Sequence, residues 1–121
     1  MLSIRRKIVG VPYSQTYVGK NLAAIAWTKA VIDQTADLPL VIRPCLMRVT
    51  FLLPPSKFAA NPVGNDLDNL LKRFCDALVK TVFRKAKGQD GIVMSLEATK
   101  TRVESDAEAG AQLELICWPA N

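Results

Sequence analysis

Apolar positions along the chain fall into blocks whose spacing changes from one block to the next, and the spacing predicts the elements. Residues 2–9 set Ile4, Ile8 and Val9 among basic side chains and fit a first strand. Val11-Pro12-Tyr13-Ser14 then reads as a loop, since proline locks one backbone angle and removes a donor. Asn21 is placed to cap a helix from Leu22 to about Gln34. Its residues Leu22, Ile25, Ala26 and Lys29 share one face, and Trp27, Ala30 and Val31 a neighbouring one, with Asp37 and Pro39 ending the element. Leu40 to Leu53 is extended in character, through Val41, Ile42, Leu46, Met47, Val49, Phe51 and Leu52, with Pro44 expected at an edge or bulge.

Pro54-Pro55 stops that strand, and residues 56–65 form a loop. A second helix is predicted from Leu67 to Val82, where Leu67, Leu70, Leu71, Phe74, Leu78 and Val82 make a broad apolar stripe. Arg84 to Gly91 is a polar turn. Ile92 to Val103 alternates with period two: Ile92, Met94, Leu96 and Ala98 face one way, and Ser95, Glu97, Thr99 and Thr101 the other. After an acidic turn over Glu104 to Gly110, Leu113 to Trp118 closes the sheet and is expected as the hairpin partner of 92–103. The order β-α-β-α-β-β predicts an α/β fold, more closely an α+β sandwich, with a small mixed sheet and two main helices packed on it. The 121 residues fit one domain, 1–121.

Composition narrows the chemistry. Half of the residues are hydrophobic and 22% are charged, a globular balance. No apolar run approaches the roughly 18 residues that span a bilayer, and no signal peptide is visible, so no membrane partner and a cytoplasmic location are expected. Cys45, Cys75 and Cys117 sit in apolar stretches, match no zinc or disulfide spacing, and read as buried small hydrophobes. The absence of histidine excludes Ser-His-Asp and Cys-His hydrolysis, HNH-type nucleases and His-ligated zinc. Acid–base or metal chemistry must therefore run on carboxylates and lysines. The net charge of +5 is uneven, with the basic excess in the first three quarters of the chain, which suits a polyanionic partner.

The informative segment is Asn65-Asp66-Leu67-Asp68-Asn69-Leu70-Leu71-Lys72. Leu67 anchors it, and Asp66 and Asp68 flank that anchor at the entry to an amphipathic helix. Such a density of hard oxygen donors suits magnesium or manganese. Lys72, four residues after Asp68, shares its helix face and is placed to neutralise a phosphate oxygen. A plainer role is also open. Asp66 can act as an N-cap, Asp68 as a first-turn charge, and Lys72 as a routine partner of Asp68 and Asp76. Asp90, in the turn before the 92–103 strand, is the candidate third carboxylate, although Asp90-Gly91 is also ordinary turn chemistry. Asp76, in mid-helix and two turns on from Asp68, is the weaker candidate.

The run Asp66-Leu67-Asp68-Asn69-Leu70, then Lys72, Asp76-Ala77-Leu78, Phe83, Asp90 and Val93, resembles the RusA family of Holliday junction resolvases. Lys100 and Leu113-Glu114-Leu115 match in order, so the likeness covers residues 62–117. It implies a small homodimeric, magnesium-dependent (Mg2+, with Mn2+ possible) endonuclease of bacterial or prophage origin. Such an enzyme cuts four-way DNA junctions by paired, symmetry-related nicks in recombination and repair. It also implies metal-binding carboxylates at Asp66, Asp68 and Asp90 and an essential lysine at Lys72. DNA contacts are expected from Lys72, Arg84, Lys85, Lys87 and Lys100.

Two departures stand out. Pro62-Val63-Gly64-Asn65 replaces the basic residue common before the first aspartate, and the segment before Asp90 is a few residues longer, with Arg84, Lys85 and Lys87 inside it and Gln89 where an acidic residue usually precedes the third aspartate. The alternatives are a catalytically silent DNA-binding protein on the same scaffold and a metal nuclease for other branched DNA.

Overall fold

The computed structural model describes residues 2–14 and 21–118. Four strands and two helices follow in chain order: β1 (Leu2–Val9), α1 (Leu22–Thr35), β2 (Cys45–Leu53), α2 (Leu67–Leu78), β3 (Val93–Arg102) and β4 (Gly110–Cys117). The sheet order is β1-β4-β2-β3. β4 runs antiparallel to both β1 and β2, while β3 runs parallel to β2. The fold is therefore α+β, a mixed sheet with two helices packed on it, as the periodicity predicts.

One pairing differs. The 113–118 strand is not the hairpin partner of 92–103, because β2 lies between them. β2 is apolar enough to need neighbours on both edges: Cys45, Met47, Val49, Phe51, Leu52 and Leu53 are all buried. β3, reached through the α2 crossover, takes one edge in parallel. β4 fills the gap between β2 and β1, pairing Met47 with Leu115 and Val49 with Leu113. A register shift between Cys45 and Leu46 puts the irregularity expected near Pro44 at the start of β2.

The core lies on the helix side of the sheet. Ile4 and Ile8 of β1, Met47, Val49 and Phe51 of β2, and Leu113 and Leu115 of β4 point into it. α1 begins at Asn21, whose Oδ1 accepts from the Ala24 amide at 3.1 Å. Its buried line is Ala24, Trp27, Val31 and Thr35, whereas Leu22 and Ile25 point outward. α2 buries Leu70, Phe74, Ala77 and Leu78 and stops at Leu78, short of Val82, although Val82 and Phe83 stay in the core through the following turn. At that turn the Thr81 hydroxyl meets the Thr35 hydroxyl at 2.7 Å and the Val41 amide donates to the Val82 carbonyl at 2.8 Å. The backbone thus finds partners outside the helix. Phe74 stacks on Trp27 (centroids 6.4 Å apart) and meets Phe51 edge-on (5.5 Å), so one ring joins both helices and the central strand.

The opposite face of the sheet carries a row of ion pairs across all four strands. Arg5 of β1 meets Glu114 of β4 at 2.7 Å, Glu114 meets Arg48 of β2 at 3.2 Å, and Arg48 meets Glu97 of β3 at 2.8 Å. Each exposed pair contributes at most about 1 kcal/mol. At the β1–β4 end the backbones approach so closely that a Cβ on Gly110 would sit 2.0 Å from the Ile8 carbonyl oxygen. Among the described residues, no helix is long and apolar enough to cross a membrane.

Phe74→Ala should cost about 3–5 kcal/mol, the usual loss for emptying a large buried aromatic site. A urea titration followed by Trp fluorescence measures it. A loss below about 1 kcal/mol would show that the ring does not join the three elements.

Candidate functional site

The buried stripe of α2 decides where its polar side chains go. With Leu70, Phe74, Ala77 and Leu78 held against the sheet, Asp68, Lys72 and Asp76 are left exposed on the outer side, four residues apart along the helix. The approach to α2 is set by a tight turn. Asn61 Oδ1 accepts from the Val63 amide at 3.1 Å and Asn61 Nδ2 donates to the Gly64 carbonyl at 3.0 Å. Gly64 has φ +73° and lies so close to Phe58 that an added Cβ would be 3.0 Å from Cε1. Asn65 is then tied twice. Its Nδ2 donates to Ser14 Oγ at 2.8 Å, and its carbonyl accepts from Lys100 Nζ at 2.6 Å.

Asp66 occupies the N-cap position, with its carbonyl accepting from the Leu70 amide at 3.1 Å, but its carboxylate makes no capping hydrogen bond. The plain structural role open to this side chain is therefore not the one it performs. Asp68 Oδ1 accepts from the Asn69 amide at 2.9 Å. Lys72 reaches Asp76, Nζ to Oδ2 at 3.5 Å, with both side chains mostly exposed.

Asp90 comes in from the far side of the turn that follows α2. Gly88 (φ 82°) and Gln89 (φ 55°) are both left-handed, and they swing the chain into the short 3-10 turn Gln89–Ile92 that carries Asp90. Gln89 is the only described non-glycine residue with positive φ, a strained backbone beside the candidate site. The Val93 amide donates to the Asp90 carbonyl and seats Asp90 half-buried at the foot of β3.

These residues share one open depression of about 380 Å3. Asp68, Lys72, Asp76 and Asp90 supply its polar lining, and Leu71, Cys75, Val93 and Leu96 its apolar lining. Burial pushes the Cys75 thiol up to about 12, and the charges of Asp90 and Asp76 push the same way. Cys75 is thus a protonated thiol at neutral pH and offers no soft thiolate, leaving a donor set of carboxylate oxygens.

Among the described residues, no three His, Cys, Asp or Glu side chains stand close enough to hold a metal ion as they are placed. The depression fits magnesium or manganese in kind of donor, all oxygen and negative in balance, with Asp68 and Asp76 spread along α2 and Asp90 on the turn before β3. Asp68 and Asp90 line the same depression. Asp66 is not part of the lining, and Asp76, expected to lie away from the cluster, lines it. The reason is the height at which Asp90 arrives. Its charge acts on Cys75 together with that of Asp76, so it meets the third turn of α2 rather than the first.

Of the expected DNA contacts, Lys72 lines the depression, and Arg84, Lys85 and Lys87 are exposed on the turn leading to Asp90. Lys100 is half-buried against the Asn65 carbonyl. A second group of cations, not expected from the sequence, comes together in the fold. Lys57 Nζ lies 5.5 Å and Arg73 Cζ 5.4 Å from the centre of the Tyr13 ring, and Arg102 Cζ lies 5.3 Å from that of Phe58. Only the Lys57-Phe58 dipeptide, a cation beside an aromatic, hinted at it. No protein-family model matches the chain, and no curated protein matches it. The likeness to junction resolvases accordingly rests on the quoted residues.

Asp66→Ala should change the unfolding free energy by less than about 0.5 kcal/mol, because no cap hydrogen bond is lost, whereas removing a working cap costs about 0.5–2 kcal/mol. A urea titration decides it, and a loss above about 1 kcal/mol would return Asp66 to a capping role.

The thiols set an alkaline limit. Burial raises Cys45 to about 11 and Cys75 to about 12 from 9.0, so the protonated thiol favours the folded chain. That stability is complete below pH 9 and declines as pH rises through 11. Unfolding midpoints measured from pH 7 to 11 should fall at the alkaline end, and less steeply in Cys75→Ala.

Proposed function

We propose that the chain is a magnesium-dependent, structure-selective DNA endonuclease that resolves four-way (Holliday) junctions by paired nicks, acting as a homodimer in the cytoplasm of a bacterial or phage-infected cell. The observation that carries this reading is the meeting of Asp68, Asp76 and Asp90 with Lys72 in one open depression, beside an N-cap carboxylate, Asp66, that does no capping. A protein that only binds DNA gains nothing from carboxylates gathered where phosphates must come, which disfavours the catalytically silent alternative.

Asp68 and Asp90, with Asp66 as the motif implies or Asp76 as the geometry allows, would hold the ions. Bound there, two divalent cations would supply an activated water and a stabilised leaving oxygen. The chain itself binds and orients. Lys72, exposed and only loosely held by Asp76, is placed to meet a phosphate oxygen. Leu71, Val93 and Leu96 keep one wall of the depression apolar. Arg84, Lys85 and Lys87 add positive charge to the turn that carries Asp90.

Junctions are two-fold symmetric, so a two-fold dimer offers one depression to each of two opposed strands. A shared face needs exposed apolar surface. β3 is an edge strand with Met94 68% exposed outside the depression, and it is the candidate.

Purified chain with magnesium should nick four-way junctions in preference to three-way and flap substrates. Asp66→Asn, Asp68→Asn and Asp90→Asn should each lower cutting by more than roughly 100-fold, beyond what outer partners of a metal site usually cost, while junction binding persists. Full cutting by Asp68→Asn and Asp90→Asn together would remove the depression from the chemistry. Preference for flaps would replace the junction by other branched DNA. Sedimentation at micromolar concentration should give a dimer, and a monomer of 13.3 kDa on the junction would sink the paired-nick mechanism.

A further inference from the structure

Around the entry to α2, cations gather on supports that belong to separate parts of the chain. The Tyr13 ring lies under both Lys57 and Arg73, and Phe58, next to Lys57 in the chain, lies under Arg102. Phe58 is also the neighbour of Gly64, while Asn65 connects Ser14 on one side to Lys100 on the other. A chain of contacts therefore joins Lys57, Arg73, Lys100 and Arg102 around the residue that precedes Asp66.

We propose that these four cations form a collar that binds the sugar-phosphate backbone of DNA and leads one strand past Asp66 into the carboxylate depression. The proposal rests on the nuclease reading for what the depression does, but the binding surface can be tested by itself. Among the described residues, Lys57, Lys100 and Arg102 make no ion pair, in contrast to Arg5, Arg6 and Arg48, whose charges are taken up by carboxylates. Arg73 also donates to Thr28 Oγ1 at 3.3 Å, which fixes its direction. Each cation is held by a ring face or a carbonyl, so less side-chain freedom remains to be lost when a phosphate arrives.

Burial lowers the Lys57 pKa, with Asp106 acting against that shift. A partly desolvated ammonium gains more from an added anion than a fully hydrated one. The aromatic rings are covered: Tyr13 is only 9% exposed, and Phe58 is half-buried. They are thus supports for cations rather than platforms for base stacking, and the collar reads backbone charge without base sequence.

The test is the salt dependence of binding to a fluorescent four-way junction and to a duplex of equal length, without divalent metal. Neutralising the collar in Lys57→Gln/Arg102→Gln should reduce the slope of log affinity against log salt by about two. Base sequence should not alter the loss. The charge-keeping pair Lys57→Arg/Arg102→Lys should retain the slope, and Arg5→Gln/Lys7→Gln, on the far face of the sheet, should leave it unchanged. An unchanged slope in the neutralised pair overturns the collar. So does an equal loss in the charge-keeping pair, which would signal altered shape rather than lost charge. Cutting by the wild-type chain with magnesium separates the two readings. Cutting without collar dependence removes only the collar, and collar-dependent binding without cutting removes only the nuclease.

Discussion

The contact of Phe74 with Trp27 and Phe51 sets the rotation of α2 about its own axis, and most of what can be said about the site follows from that rotation. A ring held between a helix and the central strand has no second place to go in a close-packed interior. With Phe74 fixed, Leu70 and Ala77–Leu78 complete the buried stripe, and residues 68, 72 and 76 must face outward. Turning the helix by one residue would carry Asp68 or Asp76 toward the sheet, where burying an unpaired carboxylate costs far more than any new packing there could return. The carboxylates need no mutual attraction to stay together. They repel, and apolar packing on the other side of the helix holds them in place.

Much of this was legible in the sequence because it depends on short-range pattern. Asn21 before Leu22 announced a capped helix, and the 70, 74, 78 spacing announced the face of α2 that is buried. The placement of Asp68 and Lys72 on one outer face followed from the same count. What was not legible depends on long-range placement. Nothing in Leu113 to Trp118 says that the strand will insert between β1 and β2 instead of folding back on β3. That choice is made by β2, whose apolar side chains require a neighbour on each edge. Asp76 looked remote from Asp68 because distance was counted along the helix. In the fold the reference point is Asp90, which the two left-handed residues Gly88 and Gln89 deliver beside Cys75. The cations at 57, 73 and 102 share no sequence window, so only the approach of Tyr13 and Phe58 to the start of α2 reveals them as a group.

Charge is divided by the fold into zones that the net value of +5 conceals. The depression concentrates negative charge with a single lysine among the carboxylates. The turn after α2 and the residues around Asn65 concentrate positive charge close to it. A polyanion drawn to such a surface meets attraction on the approaches and repulsion in the centre. Cations held by the carboxylates would relieve that repulsion, so occupancy of the centre and close seating of a phosphate would be coupled by ordinary Coulomb interaction.

The ion-pair row on the outer face of the sheet has a further effect. Arg5, Glu114, Arg48 and Glu97 alternate in sign from strand to strand, giving a charge pattern that repeats every two strand spacings, about 10 Å. The potential of an alternating row cancels with distance far faster than that of separate charges, and little of it survives beyond roughly one such repeat. The row's four charges, paired with one another, therefore add little to the field that reaches a distant ion, which leaves Lys7, among the described residues, as the unpaired charge beside them. A polyanion diffusing past would therefore feel the cations around Asn65 and on the turn after α2 before it felt this face.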